Sequence, residues 1–303
     1  MPFSPGLVHT PLTPFAANGS IDFDLFAKAI DFHLRHGAEG LAVQMHAGES
    51  VSLTDAEKRR LIAFAVEQAG KRAPIIAHVS DAGTGIAASL ATHAHAAGAS
   101  AIVATTPYYW TPPPAMVLEH FFQIGAAVDI PFFVLNAPDD MAGGKINADL
   151  ALKLIARLPN FAGVVDASLD WQFMIELMTD AGRARPDFRL FGGTELLVSA
   201  AAVGATGLFS ALAVVAPRLV RGLFDLCRDR KFFEARPQQE DIAALRQILK
   251  PGGVAALKAA ARTMGRDCGN PRPPLLPLDP AAERKLAAQI AASPSLAAEP
   301  RGW

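Results

Sequence analysis

Short apolar runs alternate with longer amphipathic stretches along the first two thirds of this 303-residue chain. Runs of this kind, bounded by Gly, Pro or Asn, are typical of buried parallel strands, and apolar residues spaced three or four apart are typical of helices. The predicted strands cover residues 6–12, 41–44, 74–78, 101–104, 131–135, 161–165, 188–191 and 206–209. The helices predicted between them cover residues 22–35, 54–70, 84–97, 115–128, 147–157, 171–181 and 195–203.

This alternation predicts an α/β fold, a (β/α)8 TIM barrel over residues 1–216. Asp22 is a predicted helix cap, and Thr54 with Glu57 forms a predicted capping box. From residue 217 the strand pattern stops, and helices are predicted over residues 219–228, 232–249, 254–264 and 281–292. Residues 217–303 are therefore interpreted as a C-terminal helical extension, whose residues from 294 onward are expected to fray.

Composition narrows the class of protein. The chain has 28 Lys and Arg against 29 Asp and Glu, so no net field favours nucleic acid or an anionic membrane. No apolar run is long enough to span a bilayer, and the amino terminus shows no signal-peptide pattern. Cys227 and Cys268 lack the spacing of a redox or zinc motif, which fits a reducing compartment. We expect a cytoplasmic protein that acts on a small molecule.

Several motifs stand at the predicted strand ends. They are Thr13-Pro-Phe15, Gly48-Glu-Ser50, Thr106-Pro-Tyr-Tyr109, Asn136-Ala-Pro138 and Gly163-Val-Val-Asp-Ala-Ser168. Through these motifs the chain resembles the dihydrodipicolinate synthase/N-acetylneuraminate lyase family of class I aldolase-type barrels. The resemblance implies the same barrel, a small carbonyl or 2-oxo acid substrate, no cofactor, and assembly as a homodimer or homotetramer.

The resemblance also implies a catalytic lysine at the end of the sixth strand, where an imine with the 2-oxo acid serves as an electron sink. Val165 stands at that position, Leu135 at that of a proton-relay tyrosine, and Asp140 at that of a substrate-binding arginine. None of the nine lysines falls at the inward end of a predicted strand, and Lys145 is best interpreted as a solvated loop residue. The sequence therefore predicts chemistry without an imine.

Histidines lie at positions where acid–base chemistry could replace the imine. His46 takes the place of a relay threonine after the second strand, and His78 that of a small residue after the third. Imidazole can act as a general acid or base near neutral pH. Tyr109 matches a relay tyrosine that is retained. We predict His46, Tyr109 and His78 as catalytic residues, with His46 pointing into the mouth and within hydrogen-bond reach of Tyr109 or one water away; buried structural histidines are the alternative.

The predicted substrate-binding residues lie in the same strand-end loops. They are Ala47, Gly48, Asn136, Val165, Gly192 and Gly193. The two adjacent glycines could present backbone N–H groups to an anion at a helix start, although an ordinary turn explains them equally well.

A metal site is the remaining alternative at these loops. His9, His46 and His78 come from consecutive strands, and Glu49 lies close in sequence; three protein ligands around an open position would suit a catalytic zinc. Their spacing matches no short metal motif, and one histidine could point away from the others. No metal is therefore predicted, and Glu49 is interpreted as a structural residue of its loop.

Two functions remain compatible with the sequence. One is a lyase-like barrel enzyme that works by acid–base chemistry without a Schiff base. The other is a catalytically inactive family member that binds a metabolite or pairs with an active paralogue. Retention of Tyr109 together with the gain of two histidines favours the enzyme.

Overall fold

Eight parallel strands form a closed barrel, and each strand pairs with the next in sequence order until β8 pairs with β1. The computed structural model describes residues 5–110, 112–137 and 144–303. The strands are β1 (Leu7–His9), β2 (Gly40–Val43), β3 (Ile75–His78), β4 (Ala101–Thr105), β5 (Phe132–Asn136), β6 (Phe161–Asp166), β7 (Arg189–Gly192) and β8 (Gly207–Ser210). The predicted TIM barrel is confirmed.

Amphipathic helices surround the barrel. They are α1 (Phe23–Arg35), α2 (Asp55–Ala69), α3 (Thr84–Ala96), α4 (Pro114–Ala126), α5 (Ala148–Arg157), α6 (Trp171–Ala184) and α7 (Leu197–Ala202). The helix starts follow the predicted caps: the Asp22 carboxylate accepts the N–H of Leu25, and Thr54 and Glu57 form the capping box of α2. Local sequence therefore fixes where these helices begin.

Alternate residues of each strand divide the core into two layers. Val8, Ile76, Val103, Val165 and others fill the barrel interior, whereas their strand neighbours pack outward against the helices. Phe133, Phe191 and Phe209 stack edge-to-face across the interior. The barrel is a packed core rather than a pore, so its chemistry is confined to its ends.

Four more helices follow β8: α8 (Pro217–Arg228), α9 (Phe232–Leu249), α10 (Gly253–Thr263) and α11 (Pro280–Ala292). The buried face of α8 shares one hydrophobic cluster with Leu7 and Leu208 of β1 and β8, so this helix lies in the outer ring of the barrel. The boundary between residues 216 and 217 stays a prediction. No described helix has the length and apolar character needed to cross a membrane.

The expectation that the chain frays from residue 294 is wrong. Leu296 is buried, and the Glu299 carboxylate accepts the N–H groups of Arg218 and Leu219 at the start of α8. The buried guanidinium of Arg266 donates to the carbonyls of Val214, Val215, Pro300 and Gly302. These hydrogen bonds hold the segment against the barrel.

Candidate functional site

A cavity of about 340 Å³ opens at the carboxyl ends of the strands, which we call the mouth of the barrel. Residues at or just after the ends of β1, β2, β5, β6, β7 and β8 line it, together with residues of α9 and α10. In this fold the loops at this end carry the active site. A smaller cavity of about 240 Å³, next to the amino end of β8, contains none of the predicted site residues.

The floor of the mouth cavity is apolar. Leu135 and Val165 are register partners on β5 and β6, both buried, and Phe209 of β8 lies with them in the interior cluster. All three line the cavity. Val165 is thus placed where a substrate could touch it, but an isopropyl group offers neither a nucleophile nor a proton.

His46 lies in a short 3-10 helix, His46–Gly48, that follows β2. Its side chain is exposed and, with Ala47, lines the cavity. Gly48 does not line the cavity; its carbonyl accepts a 2.6 Å hydrogen bond from the Thr13 hydroxyl. The loop after β1 therefore supports the segment that presents His46 to the cavity.

Glu49 ends this segment in the left-handed conformation, with a φ of 57°. Its buried carboxylate lies 2.7 Å from the Lys258 ammonium of α10 and accepts the N–H of Arg272. Burial lowers the pKa of Lys258, while the neighbouring Glu49 acts in the opposite sense. The structural interpretation of Glu49 thus has a physical basis: it joins the His46 segment to the extension.

His78 is buried at the end of β3 and does not line the cavity. Its Nε2 lies 2.7 Å from the Ser80 hydroxyl, which in turn accepts the N–H of Thr105. Burial lowers the pKa of His78 to about 3, so its ring is neutral near pH 7. His78 supports the ends of β3 and β4 rather than meeting the cavity directly.

His9 points away from the barrel interior. Its Nδ1 lies 3.1 Å from Nδ1 of His33 on α1, and both rings are completely buried. The structure therefore does not bring His9, His46 and His78 together. Within the described ranges, no group of three or more His, Cys, Asp or Glu side chains could hold a metal ion.

Tyr109 is 97% exposed and has a φ of 82°. It does not line the cavity of its own chain, and no hydrogen bond joins it to His46 among the described residues. A bulky residue with positive φ is uncommon and marks a constrained turn. The catalytic role predicted for Tyr109 stays a prediction.

The side chain of Asn136 forms a hydrogen bond to the neighbouring strand β6. Its amide donates a 2.6 Å hydrogen bond to the carboxylate of Asp166, which also accepts hydrogen bonds from Ser168. Burial raises the pKa of Asp166. Asn136 does not line the cavity, so in this arrangement it ties the ends of β5 and β6 together. Pro138 and Asp140 lie outside the described residues.

Of the two glycines after β7, Gly193 lines the cavity and Gly192 does not. The N–H of Gly193 donates to the Asp166 carbonyl at 2.6 Å, so it is not free for an anion. A Cβ on Gly193 would lie 3.0 Å from atoms of Ala167. Close approach of the two loops explains this glycine.

Sequence reasoning missed two cations that line the cavity, Arg246 of α9 and Lys250 just after it. Arg246 donates to the carboxylate of Glu195 at 2.5 Å, and that carboxylate also accepts the Ser210 hydroxyl and the N–H of Leu212. Strand ends alone do not reveal Lys250, because it follows a helix. Lys145, by contrast, is exposed, lies 3.9 Å from Asp170 and does not line the cavity.

Comparison with known proteins agrees with this architecture. The sequence model of the Dihydrodipicolinate synthetase family matches residues 4–293. An uncharacterized DapA-like lyase of Halobacterium salinarum is 32% identical over 288 residues, covering 94% of this chain and 93% of that protein. The 4-hydroxy-tetrahydrodipicolinate synthase of Bartonella bacilliformis is 31% identical over 279 residues, covering 90% and 92%.

Solved structures show the same barrel. Dihydrodipicolinate synthase from Aquifex aeolicus has a TM-score of 0.90 and 28% identity, with 95% of this chain and 97% of that chain covered. YagE, a prophage protein of the dihydrodipicolinic acid synthase family from E. coli K12, was solved in complex with pyruvate; its TM-score is 0.89, with 25% identity and coverage of 95% and 97%.

Proposed function

The chain belongs to the Dihydrodipicolinate synthetase family, and we propose that it is a lyase-like enzyme that converts a small carbonyl or oxo-acid compound without forming a Schiff base. One observation carries the proposal: an exposed histidine, His46, lines a cavity whose floor offers no amine. Acid–base chemistry is what such a cavity can supply.

The charged groups that line the cavity differ in the number of hydrogen bonds that their side chains form. Glu195 is buried and accepts three hydrogen bonds, one of them from Arg246. The side chain of His46 forms no hydrogen bond or ion pair within the described ranges, so its ring is free to meet a substrate. A side chain of this type can serve as general base or general acid at neutral pH.

The proposed step moves one proton. His46 removes a proton from the carbon next to the substrate carbonyl, and the electron pair of the C–H bond forms an enolate. The hydroxyls of Thr10 and Thr194, which also line the cavity, can donate hydrogen bonds to the developing oxyanion. The enolate then expels a leaving group from the adjacent carbon, or takes the proton back.

Hydrogen exchange tests this step with any 2-oxo acid that enters the cavity. In D2O, the wild type should catalyse exchange of the C3 protons of one or more 2-oxo acids in a panel followed by proton NMR. His46→Ala should lower that exchange by about 10²–10⁴-fold, the usual contribution of general acid–base catalysis.

The matched control is His95→Ala, because His95 is a half-exposed histidine on α3 that pairs with Asp129. It should leave the exchange unchanged. Equal exchange by the wild type and His46→Ala would refute the role of His46.

The apolar floor favours a second candidate, a family member that binds a metabolite or partners an active paralogue without turnover. Leu135 and Val165 together leave the deepest part of the cavity without a reactive group. In that case no 2-oxo acid would exchange with either protein, while small carbonyl compounds would still bind in the cavity.

We further propose a cytoplasmic homodimer or homotetramer. Four large apolar side chains are exposed around α3 and α4, namely Ile86, Tyr109, Trp110 and Met116. Exposed apolar patches of this kind mark association surfaces, and sedimentation of the wild type measures the assembly. The two cysteines are free and buried, in keeping with a reducing compartment.

A further inference from the structure

We infer that the substrate of the proposed reaction is an amphipathic monocarboxylate, with its apolar part on the floor of the cavity and its carboxylate held at the rim by Lys250. The inference rests on the proposed function only in assigning the cavity to a substrate. It assigns a binding role to a residue of the extension and an orientation to the ligand.

The inner part of the cavity is apolar. Leu135, Val165 and Phe209 are all at most 4% exposed and form one continuous surface with the barrel interior. Val254 and Leu257 of α10 add an apolar wall on the side of the extension. A charged group placed on this floor would lose its hydration without gaining a partner, which is strongly unfavourable.

Charge is distributed unevenly around the cavity. Besides His46, the charged side chains that line it within the described ranges are Glu195, Arg246 and Lys250. Glu195 and Arg246 form an ion pair at 2.5 Å and neutralise each other. In the part of the chain that the structure describes, Lys250 has neither a hydrogen bond nor an ion pair through its ammonium group. Among the described residues, the cavity is therefore left with one uncompensated cation.

That cation lies at the outer edge of the cavity. Lys250 is exposed and begins the short 3-10 turn between α9 and α10, outside the barrel strands. The cation therefore lies in the outer part of the cavity, whereas the apolar floor forms the inner part. A single carboxylate joined to an apolar body matches this polarity, whereas a compact dianion does not.

The test is a binding series with defined probes. Calorimetry on the wild type would measure the straight-chain carboxylates from butanoate to octanoate and the primary alcohols of equal length. Each added methylene that reaches the floor should tighten binding about fourfold. Each carboxylate should bind about tenfold or more tightly than its alcohol, as expected for a charge-assisted contact.

Lys250→Met should remove the advantage of the carboxylate and leave the alcohol unaffected, whereas Lys250→Arg should retain most of it. The matched control is Lys153→Met, an exposed lysine of α5 paired with Asp149 at 2.6 Å, which should bind every probe like the wild type. Because Lys250 is exposed, these variants should fold, and circular dichroism verifies that they do.

The outcomes separate this inference from the acid–base proposal. If His46→Ala retains exchange but the binding series behaves as described, the inference stands and the role of His46 fails. If hexanoate binds equally to the wild type and Lys250→Met, or affinity stays flat from butanoate to octanoate, the inference is overturned whatever the exchange result.

Discussion

At the residue scale, two adjacent aliphatic side chains, Leu135 and Val165, are the basis for proposing chemistry without an imine. Val165 pairs in register with Leu135 on one side and with Phe191 on the other, and all three are buried. A primary amine introduced among such neighbours would have a lowered pKa, because burial disfavours the ammonium form. The neutral amine is the form that attacks a carbonyl.

Val165→Lys should therefore form an imine with pyruvate. After incubation with pyruvate and borohydride, its mass should increase by one reduced adduct, which peptide mapping places at position 165. The mass of the wild type should stay unchanged. An adduct on Lys250 or Lys145 of the wild type would show that another lysine supplies the imine, and the proposed mechanism would be wrong.

The direction in which a side chain points was harder to predict than the strand on which it lies. His9 and His78 both end strands, yet His9 meets α1 while His78 faces inward and is buried against Ser80. A shift of one residue reverses the face of a strand, and sequence alone does not give the register. Arg246 could not be found from local patterns, because its contact with Glu195 joins α9 to a loop 51 residues earlier in the chain. Lys250 follows a helix rather than a strand, so the strand-end pattern does not mark it.

At the element scale, the extension supports the segment that carries His46. The Arg272 guanidinium donates to the carbonyls of Gly19 and Ser52 and to the carboxylate of Glu57, the residue that caps α2. The hydrogen bond from Arg272 to Glu57 is the main reason that the pKa of Glu57 falls to about 2. With the buried Glu49–Lys258 pair, Arg272 joins two barrel loops and the first turn of α2 to the extension.

Removing one partner of that buried pair should be costly. Lys258→Met leaves the Glu49 carboxylate buried without its cation, so the free energy of unfolding in urea should fall by about 3–5 kcal/mol. The double variant Glu49→Gln, Lys258→Met should recover part of the loss, because neither charge remains. Lys285→Met changes an exposed lysine of α11 and serves as the control. Equal stability of Lys258→Met and the control would contradict this account.

Elements were predictable where their signals are local. The caps of α1 and α2 follow from Asp22, Thr54 and Glu57, and the structure confirms them. The 3-10 turn His46–Gly48 has no such signal, nor has the left-handed Glu49 after it. That conformation is disfavoured for a residue with a side chain, and the distant pairing with Lys258 holds the carboxylate in place.

At the scale of the whole molecule, buried histidines make stability depend on pH. Burial is the main cause that lowers the pKa of His33 and of His78 to about 3, and that of His120 to about 4. In the unfolded chain these rings titrate near 6.5. Between those values the unfolded state binds more protons than the folded state, so protons favour unfolding.

The free energy of unfolding should therefore be constant above about pH 7 and fall as the pH drops below about 6.5. Each such histidine contributes up to about 1.4 kcal/mol per pH unit in that window. Urea unfolding from pH 5 to pH 8 measures the slope. His120→Gln should make it shallower, and His95→Gln, which changes a half-exposed ring, should not. A slope that His120→Gln leaves unchanged would argue against the assignment.

The architecture was the most predictable feature of all. Eight apolar runs, separated by helical stretches, admit few arrangements other than a closed parallel barrel, and the observed strand order follows the sequence order. The docking of the last residues was not predictable. Their partners are the N–H groups of Arg218 and Leu219 and the guanidinium of Arg266, and no local sequence pattern marks these contacts.

The contacts of Arg266 have a consequence for the order in which the chain folds during synthesis on the ribosome. Its buried guanidinium needs acceptors from residues 214 and 215 and also from residues 300 and 302. Until Pro300 and Gly302 have left the exit tunnel, half of those acceptors are missing, and a buried cation without partners is strongly disfavoured. We therefore expect a nascent chain to close its barrel first. Docking of α10, with the apolar wall that Val254 and Leu257 supply to the cavity, should follow once Pro300 and Gly302 are available. The wall that α10 gives the cavity thus depends on acceptors that lie far along the chain from it.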